Sequence, residues 1–368
     1  MKKVLVTDIS SYKAIVFCMA LSGFDKISVV TADHRSFTRC IRTKYAGKHY
    51  IYPDFHRYPD QFISRLEEII ETENIDCLIP VNSEQMRICL KNKSRFGKTL
   101  DLFGDYKTFC KLDDKEQLYN ISKLLNVKIP ERYSLNDGSI NFPLVFKPTI
   151  SASSKGIQYI INKKELDKLK KRIKTGSRPF ILQQYIKGEG VGYSVLCDKG
   201  KIIAACGHKR IAEYPVSGGP SVIRESYDHH DMAGIAQKII RFTEWTGLAM
   251  FEFKLTDQNE ICLIEINPRI WGSINQSVQS GINFPYLLLT KEYSAVTSAQ
   301  KSEKIMTSVP FLSLMSVLLY IFKVWNFQPM GYYLKNYRRI IPDVSFMNDI
   351  KGYFSVFLLI LHTLFYKK

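Results

Sequence analysis

The sequence predicts an α/β and α+β protein, and three features of the 368-residue chain support this. Short apolar runs alternate with amphipathic stretches through the first hundred or so residues. Strand-like runs and glycine-bearing turns then alternate from Pro130 to about Pro285. Beyond residue 300, two apolar runs flank a basic aromatic stretch. We therefore expect an N-terminal open parallel sheet, a strand-rich middle region and a helical C-terminal extension.

The opening of the chain is typical of a βαβ unit. Residues 3–7 form a short buried-strand pattern, a helical stretch follows from about residue 12 to 21, and residues 26–31 form a second strand. An amphipathic helix over about 58–72 then leads to another apolar strand at 76–81. The loop after the first strand lacks the pattern GxGxxG, so the sequence does not support NAD binding.

Charge and cysteine content limit the class of protein. The net charge is +17, but the lysines are spread along the chain and no nucleic-acid motif accompanies them. Solvated basic faces, polyanionic substrates such as ATP and an acidic membrane surface all fit this charge, and no nucleic-acid partner is expected.

The eight cysteines have no metal-ligand spacing, which is typical of a reducing compartment. The first apolar run stops at Asp8, too early for a signal peptide, so we expect a cytoplasmic location.

A strand that ends near a lysine forms the first candidate motif. Residues 142–148 place Lys147 near the end of an apolar strand, and residues 151–156 follow as Ser-Ala-Ser-Ser-Lys-Gly. Small residues let backbone N–H groups approach phosphate oxygens, and a lysine adds positive charge. Such a strand and loop also occur without any nucleotide, so this motif is weak by itself.

A second apolar strand carries the groups that an adenosine needs. Residues 180–189 contain two amides, an aromatic ring and an acid in the order Gln183, Gln184, Tyr185 and Glu189. An adenine binds hydrogen-bonding groups at its edge and apolar groups at its faces, and a carboxylate can accept from a ribose hydroxyl. The alternative is an ordinary strand followed by a glycine turn.

Two acids that interrupt apolar strands give the strongest signal. Glu252 lies between two phenylalanines and Glu265 between two isoleucines. Asn267 is two residues beyond Glu265 and therefore projects from the same face of a strand. Because a buried carboxylate needs a partner, these oxygen ligands predict a magnesium site. Arg269 follows, where a guanidinium can clamp a phosphate or carboxylate. The alternative is the solvent face of a hairpin.

Taken in this order, the motifs resemble the ATP-grasp superfamily. They look most similar to the carboxylate–amine ligases related to the carbamoyl phosphate synthetase large subunit and biotin carboxylase. The resemblance covers about residues 105–290 and implies a pre-ATP-grasp α/β domain over 1–105. It also implies an ATP-grasp domain over 106–295, with a smaller ATP-clamping subdomain (106–186) and a catalytic metal and substrate subdomain (187–295). A basic, apolar helical extension would occupy 296–368.

The resemblance further implies roles for individual residues. ATP would be bound by Lys115, Lys147, Ser151, Ser153, Ser154, Gly156, Gln183, Gln184, Tyr185, Ile186 and Glu189. One or two Mg²⁺ ions, with Mn²⁺ as a substitute, would be bound by Glu252, Glu265 and Asn267. Arg210, Arg269 and Lys147 would be catalytic, and residues 208–222 and 271–273 would line the substrate sites. Gln183 stands where several relatives have glutamate, and the serine-rich loop has less glycine than other members, so the subfamily stays open.

The activity implied is that of a ligase that activates a small-molecule carboxylate as an acyl phosphate and couples it to an amine. One alternative is a phosphotransferase acting on another acceptor, and a second is a membrane-associated binding protein without catalysis.

The apolar runs of the extension, at roughly 14 residues each, are too short to span a bilayer. Core helices are the first interpretation, and peripheral attachment to the inner membrane face is the second because basic and aromatic residues flank both runs. A homodimer is also left open.

Overall fold

The computed structural model describes residues 1–39, 43–137, 140–151, 156–173, 179–216, 218–293 and 304–365. Its helices are α1 (Tyr12–Leu21), α2 (Pro59–Glu73), α3 (Ser83–Lys91), α4 (Lys93–Phe96), α5 (Tyr106–Asp113), α6 (Lys115–Leu124), α7 (Lys163–Arg172), α8 (His230–Thr243), α9 (Ile274–Gln279), α10 (Phe284–Thr290), α11 (Leu312–Val324), α12 (Gln328–Asn336) and α13 (Ile350–Phe365). Its strands are β1 (Lys2–Val6), β2 (Ile27–Asp33), β3 (Lys48–Ile51), β4 (Cys77–Ile79), β5 (Arg132–Tyr133), β6 (Leu144–Pro148), β7 (Gln158–Ile160), β8 (Phe180–Gln184), β9 (Glu189–Asp198), β10 (Lys201–Glu213), β11 (Ser221–Ser226), β12 (Gly247–Leu255), β13 (Ile261–Asn267), β14 (Met306–Ser308) and β15 (Ile340–Pro342).

The N-terminal sheet is open and parallel, as the sequence predicts. Its strands lie in the order β3-β2-β1-β4, and β1 pairs in parallel with both β2 and β4. Residues 4–6 of β1 are fully buried, because helices or other elements cover both faces of such a sheet. The loop after β1 is filled by Arg35, which donates to Asp8 at 3.2 Å and to Ser10 Oγ at 2.8 Å. An ion pair therefore occupies the loop where a dinucleotide-binding protein has glycines.

Two further sheets form the middle of the molecule. The small sheet has four antiparallel strands in the order β5-β8-β6-β7. The central sheet has seven strands in the order β13-β12-β9-β10-β11-β14-β15, all antiparallel except the pair β14 and β15. Strand β9 lies between β12 and β10. It therefore connects the hairpin that carries Glu252 and Glu265 to the predicted substrate segment, residues 208–222.

The C-terminal extension contains the predicted helices and also completes the central sheet. Strands β14 and β15 form one edge of that sheet. On β11, Arg224 forms an ion pair with Asp343 of the extension, and both side chains are fully buried. Among the helices in the described ranges, none is both long and apolar enough to cross a bilayer. The extension is thus anchored to the body of the protein by sheet pairing and a buried ion pair.

Candidate active site

A cavity of about 330 Å³ lies where the small sheet, the central sheet and the N-terminal region meet. The small sheet contributes Val145, Lys147, Gln183 and Gln184, and the central sheet contributes His208, Arg210, Glu252, Glu265 and Asn267. The N-terminal region contributes Ser11, Tyr12, Lys13, Asn82 and Ser83. The motifs that are far apart in the sequence therefore line one space.

Two carboxylates and an amide converge on the central-sheet wall of this cavity. Glu252 on β12 lies directly opposite Glu265 on β13. Asn267 Nδ2 donates to Glu252 Oε1 at 3.0 Å and to Glu265 Oε1 at 3.3 Å. A register shift beside this pair leaves Ile264 without a cross-strand partner, so the hairpin is bulged next to the acids. Glu265 and Asn267 share one face, as their spacing predicts, and strand pairing places Glu252 on the same face.

The two carboxylates have opposite pKa shifts because their neighbours differ. Burial raises the pKa of Glu252, Arg210 opposes this, and the charge of Glu265 adds to it. The pKa of Glu265 is lowered, because Lys115 and Lys147 outweigh the effect of burial. Lys115 Nζ lies 3.6 Å from Glu265 Oε2. Two facing carboxylates and an amide are the oxygen ligands that Mg²⁺ prefers, so these residues fit a magnesium ion.

Three basic side chains surround the carboxylates. Lys147 Nζ donates to the Ile264 carbonyl at 3.4 Å, and burial lowers its pKa to about 8 with the carboxylates in opposition. Arg210 pairs with Glu252, and its pKa is raised because Glu252 and Glu213 outweigh burial. Arg269 has no carboxylate partner among the described residues. Its donors go to Ser83 Oγ (2.6 Å), Asn267 Oδ1 (2.6 Å) and the Ile270 carbonyl (2.8 Å).

Glycines on β9 leave room for the side chains of β10. A Cβ atom at Gly190 would lie 2.7 Å from Arg210 Cδ, and one at Gly192 would lie 2.3 Å from His208 Cε1. The two glycines are two residues apart and so lie on one face of the strand. Sequence reasoning missed this role, although glycines two apart inside an apolar strand are the signal that could have indicated it.

Two further cavity residues are His208, which belongs to the predicted substrate segment, and Lys13, which the sequence did not indicate. His208 is buried, and burial together with Arg210 and Arg224 lowers its pKa well below the usual range, so the imidazole is neutral. Lys13 donates to the Val81 carbonyl at 3.1 Å and has no carboxylate at ion-pair distance in the described part of the chain. Burial and Arg269 lower its pKa to about 7, while Asp8 opposes this. The N-terminal region thus adds to the cavity a lysine side chain that holds its proton weakly.

The structure places most of the predicted ATP-binding residues at or beside this cavity. Those that line it are Lys147, Ser151, Gln183, Gln184, Tyr185 and Ile186, together with residues 218–221 and 271–273 of the predicted substrate segments. Lys115 is adjacent, with its Nζ donating to Ser151 Oγ at 3.4 Å. Gly156 has a φ of +82° and packs on Pro148, whereas Glu189 is exposed and pairs with Lys209. Ser153 and Ser154 lie outside the described residues.

Comparison with known proteins identifies the fold. Residues 176–310 match the family described as "ATP-grasp in the biosynthetic pathway with Ter operon". The D-alanine--D-alanine ligase of Fusobacterium nucleatum is 27% identical over 164 residues, which are 42% of this chain. The chain spans 55% of the length of that curated relative.

Solved structures share the architecture at low sequence identity. The biotin carboxylase domain of Hydrogenobacter thermophilus 2-oxoglutarate carboxylase has a TM-score of 0.62 and 17% identity, and 78% of this chain covers 68% of that chain. The L-amino acid ligase of Bacillus licheniformis has a TM-score of 0.60 and 15% identity, with coverage of 82% and 76%. These findings confirm the predicted fold class and the resemblance on which it depends. The chain therefore has the fold of these solved enzymes, and its residues 176–310 match an ATP-grasp family.

Proposed function

We propose that this protein is an ATP- and Mg²⁺-dependent ligase that activates a carboxylate as an acyl phosphate and joins it to an amine. One observation carries this proposal: the facing carboxylates Glu252 and Glu265 share a cavity with four basic side chains, those of Lys13, Lys147, Arg210 and Arg269. Lys115 lies beside this cavity, with its Nζ 3.6 Å from Glu265 Oε2. A solved neighbour from H. thermophilus was crystallised with MgADP and bicarbonate, which is consistent with such chemistry.

The nucleotide would lie between the small sheet and the central sheet. We propose that the side chain of Gln183 and the backbone of Gln184 and Ile186 bind the adenine edge, with Tyr185 beside the ring. Glu189 would leave its ion pair with Lys209 and accept a hydrogen bond from a ribose hydroxyl. Phosphate oxygens would be bound by Lys115, Lys147, Ser151, Ser153, Ser154 and the backbone of Gly156.

The metal ligands are Glu252, Glu265 and Asn267, which would hold one or two Mg²⁺ ions, or Mn²⁺ in their place. A bound divalent ion supplies charge neutralisation at phosphoryl oxygens and orients them for displacement. For Asn267 to act as a ligand, its Oδ1 would have to leave the Arg269 guanidinium. Arg269 would then be free to bind a substrate anion.

The reaction would proceed in two displacement steps. A carboxylate oxygen of the substrate attacks the γ-phosphorus, the bond to the β–γ bridging oxygen breaks, and ADP leaves. Lys147, Arg210 and Arg269 stabilise the charge on the transferring group. An amine nitrogen then attacks the acyl carbon, loses a proton and displaces phosphate. No nucleophilic side chain of the protein is required.

Trapping of the acyl phosphate tests this proposal. The protein is incubated with ATP, Mg²⁺, hydroxylamine and a panel of acids, and hydroxamate and ADP are measured together. Amino acids lead the panel, because the names of two relatives describe amino acid ligases. We expect hydroxamate and ADP in equal amounts with at least one acid. A stable phosphorylated product without hydroxamate would instead identify a phosphotransferase, and absence of ATP turnover across the panel would contradict both activities.

The cytoplasmic location and the homodimer remain predictions. Fractionation of cells that express the tagged protein would measure the first, and light scattering of the purified protein the second. Peripheral membrane contact, the second interpretation of the extension, is a separate question, since it does not depend on the activity of the nucleotide site.

A further inference from the structure

Helix α11 carries a row of exposed apolar side chains. Leu314, Leu318 and Phe322 recur every fourth residue and therefore lie on one face, and Trp325 follows at the end of the helix. Their side chains are 56%, 43%, 73% and 80% exposed in that order. We refer to these four residues as the apolar ridge. Scattered apolar side chains are common on protein surfaces, but an aligned row that ends in an exposed tryptophan indicates an interaction site.

The opposite face of α11 is held firmly by the body of the protein. Ser313, Ser316 and Val317 are buried, and Ser316 Oγ donates to the Glu213 carbonyl of β10 at 2.7 Å. Val317 belongs to a cluster with Val222, Ile223 and Val309. Because this face is already packed, the apolar ridge cannot turn inward and its exposure is a fixed property of the fold.

The exposed charges of residues 304–365, the range that contains the apolar ridge, have one sign. In residues 304–365 the acids are Asp343 and Asp349, and both are buried. The exposed ionic side chains of that range are all basic: Lys304, Lys323, Lys335, Arg338, Arg339 and Lys351. Lys323 lies within α11, directly after Phe322. Of these six, Lys304 pairs with Glu225 on β11, whereas the other five have no carboxylate at ion-pair distance among the described residues. An apolar row accompanied by such cations is complementary to a layer that is apolar inside and anionic at its surface.

We propose that the apolar ridge and its basic neighbours bind the surface of an anionic phospholipid bilayer. The leucines and Phe322 would enter the boundary between headgroups and acyl chains, and Trp325 would lie at headgroup level. Lysine and arginine heads would contact lipid phosphates while their stems cover apolar surface. A second copy of the chain is a poorer partner, because two basic surfaces repel each other. The fixed packing of α11 means that the membrane is contacted from one side and not crossed.

The tryptophans provide a direct test. The sequence has three, and Trp245 and Trp271 are fully buried whereas Trp325 is exposed. The full-length protein is mixed with vesicles of phosphatidylcholine, alone or with phosphatidylglycerol, and with brominated acyl chains as quencher. We expect Trp325 emission to shift to shorter wavelength and to be quenched with the anionic vesicles only. Added salt should weaken this binding, because it screens the lipid charge.

Two variants distinguish binding through the apolar ridge from a general effect of placing negative charge on the protein surface. The double variant Leu318→Glu/Phe322→Glu should lower the vesicle-bound fraction at least about tenfold. Phe242→Glu, an exposed apolar residue on α8, should bind as wild type does. Circular dichroism checks that both variants are folded. Equal binding of wild type and double variant, no quenching by anionic vesicles, or a stable dimer that shields Trp325 would each overturn the proposal. None of these outcomes depends on the activity of the ATP site.

Discussion

At the level of single residues, the acids of the β12–β13 hairpin differ in their surroundings. Glu252 and Glu265 both accept from Asn267 inside the cavity, whereas Glu260 at the turn is exposed and pairs with Lys128. The first two were predicted because each interrupts an apolar run in the sequence. Their joint position beside one amide follows from the pairing of the two strands.

Replacement of Glu265 tests the metal site. Glu265→Gln removes a carboxylate ligand and keeps the size of the side chain, so we expect ADP release to fall at least about 100-fold. The fold should persist, because the amide also relieves repulsion with Glu252. The matched control is Glu260→Gln in the same hairpin, for which ADP release should be unchanged. A Glu265→Gln protein that keeps most of its activity would show that this carboxylate is not a ligand.

The pKa of Lys147 predicts a pH dependence of nucleotide binding. Burial lowers this pKa to about 8, so the ammonium is charged at lower pH and loses its proton as the pH rises. Affinity for ATP should therefore decrease above pH 8, by about tenfold when the contact between ammonium and phosphate is lost. A fluorescent ATP analogue titrated at several pH values measures this. Lys147→Met should bind weakly with a flatter profile, and identical profiles for both proteins would contradict the assignment.

The position of Lys13 in the cavity could not be predicted from its neighbours in the sequence. Nothing in its sequence neighbourhood separates it from the other lysines of a basic chain. It lines the cavity because the fold brings the start of α1 to Val81, whose carbonyl accepts from Lys13, and to the start of α3 at Ser83. A lysine that donates to a residue distant in the sequence has no local signature.

At the level of secondary structure, the strands of the metal and adenine motifs were predictable because apolar residues mark them. Residues 142–148 were predicted as a strand, and β6 spans Leu144–Pro148. The order of strands in the central sheet was not predictable, since hydrophobic alternation indicates a strand without indicating its neighbours. That order decides that β9 glycines lie under β10 side chains.

The close approach of β9 and β10 can be tested at Gly192. A methyl group there would meet the His208 ring, so Gly192→Ala should destabilise the protein by about 1–3 kcal/mol. His208→Ala in the same chain should recover much of this loss, because it removes the obstructing ring. Urea unfolding of both single variants and the double variant measures the coupling. Gly234→Ala on α8 is the control, since its new methyl group meets nothing within 4 Å. Strict additivity at positions 192 and 208 would contradict the close contact.

At the level of the whole molecule, the extension is part of the central sheet. Arg224 donates to Asp343, to Thr307 Oγ1 at 2.9 Å and to the Ser221 carbonyl at 3.0 Å. Ser221 lines the cavity, so the extension supports the site through one buried arginine. Deletion of residues after 305 would remove two strands, and it is therefore unsuitable as a test of membrane binding.

The ion pair between Arg224 and Asp343 should be important for stability. Asp343→Ala leaves a buried guanidinium without its carboxylate, and we expect a loss of about 3–5 kcal/mol in the free energy of unfolding. Replacing both partners by apolar residues, as in Arg224→Met/Asp343→Leu, should restore much of the loss. The control is Lys128→Ala, which breaks an exposed pair and should cost less than about 1 kcal/mol. If Asp343→Ala unfolds like wild type, the extension is not held by this pair.

The sequence by itself determined the order of the nucleotide and metal motifs and the α/β character of the N-terminal region. These depend on residue type and on short spacings, which a single strand or loop displays completely. Only the tertiary structure decided that Arg210 pairs with Glu252, that Lys13 faces the same cavity, and that one side of α11 stays exposed. Each of these contacts joins residues far apart in the chain, or depends on which face another element covers. They follow from the arrangement of the sheets, which local hydrophobic patterns do not specify.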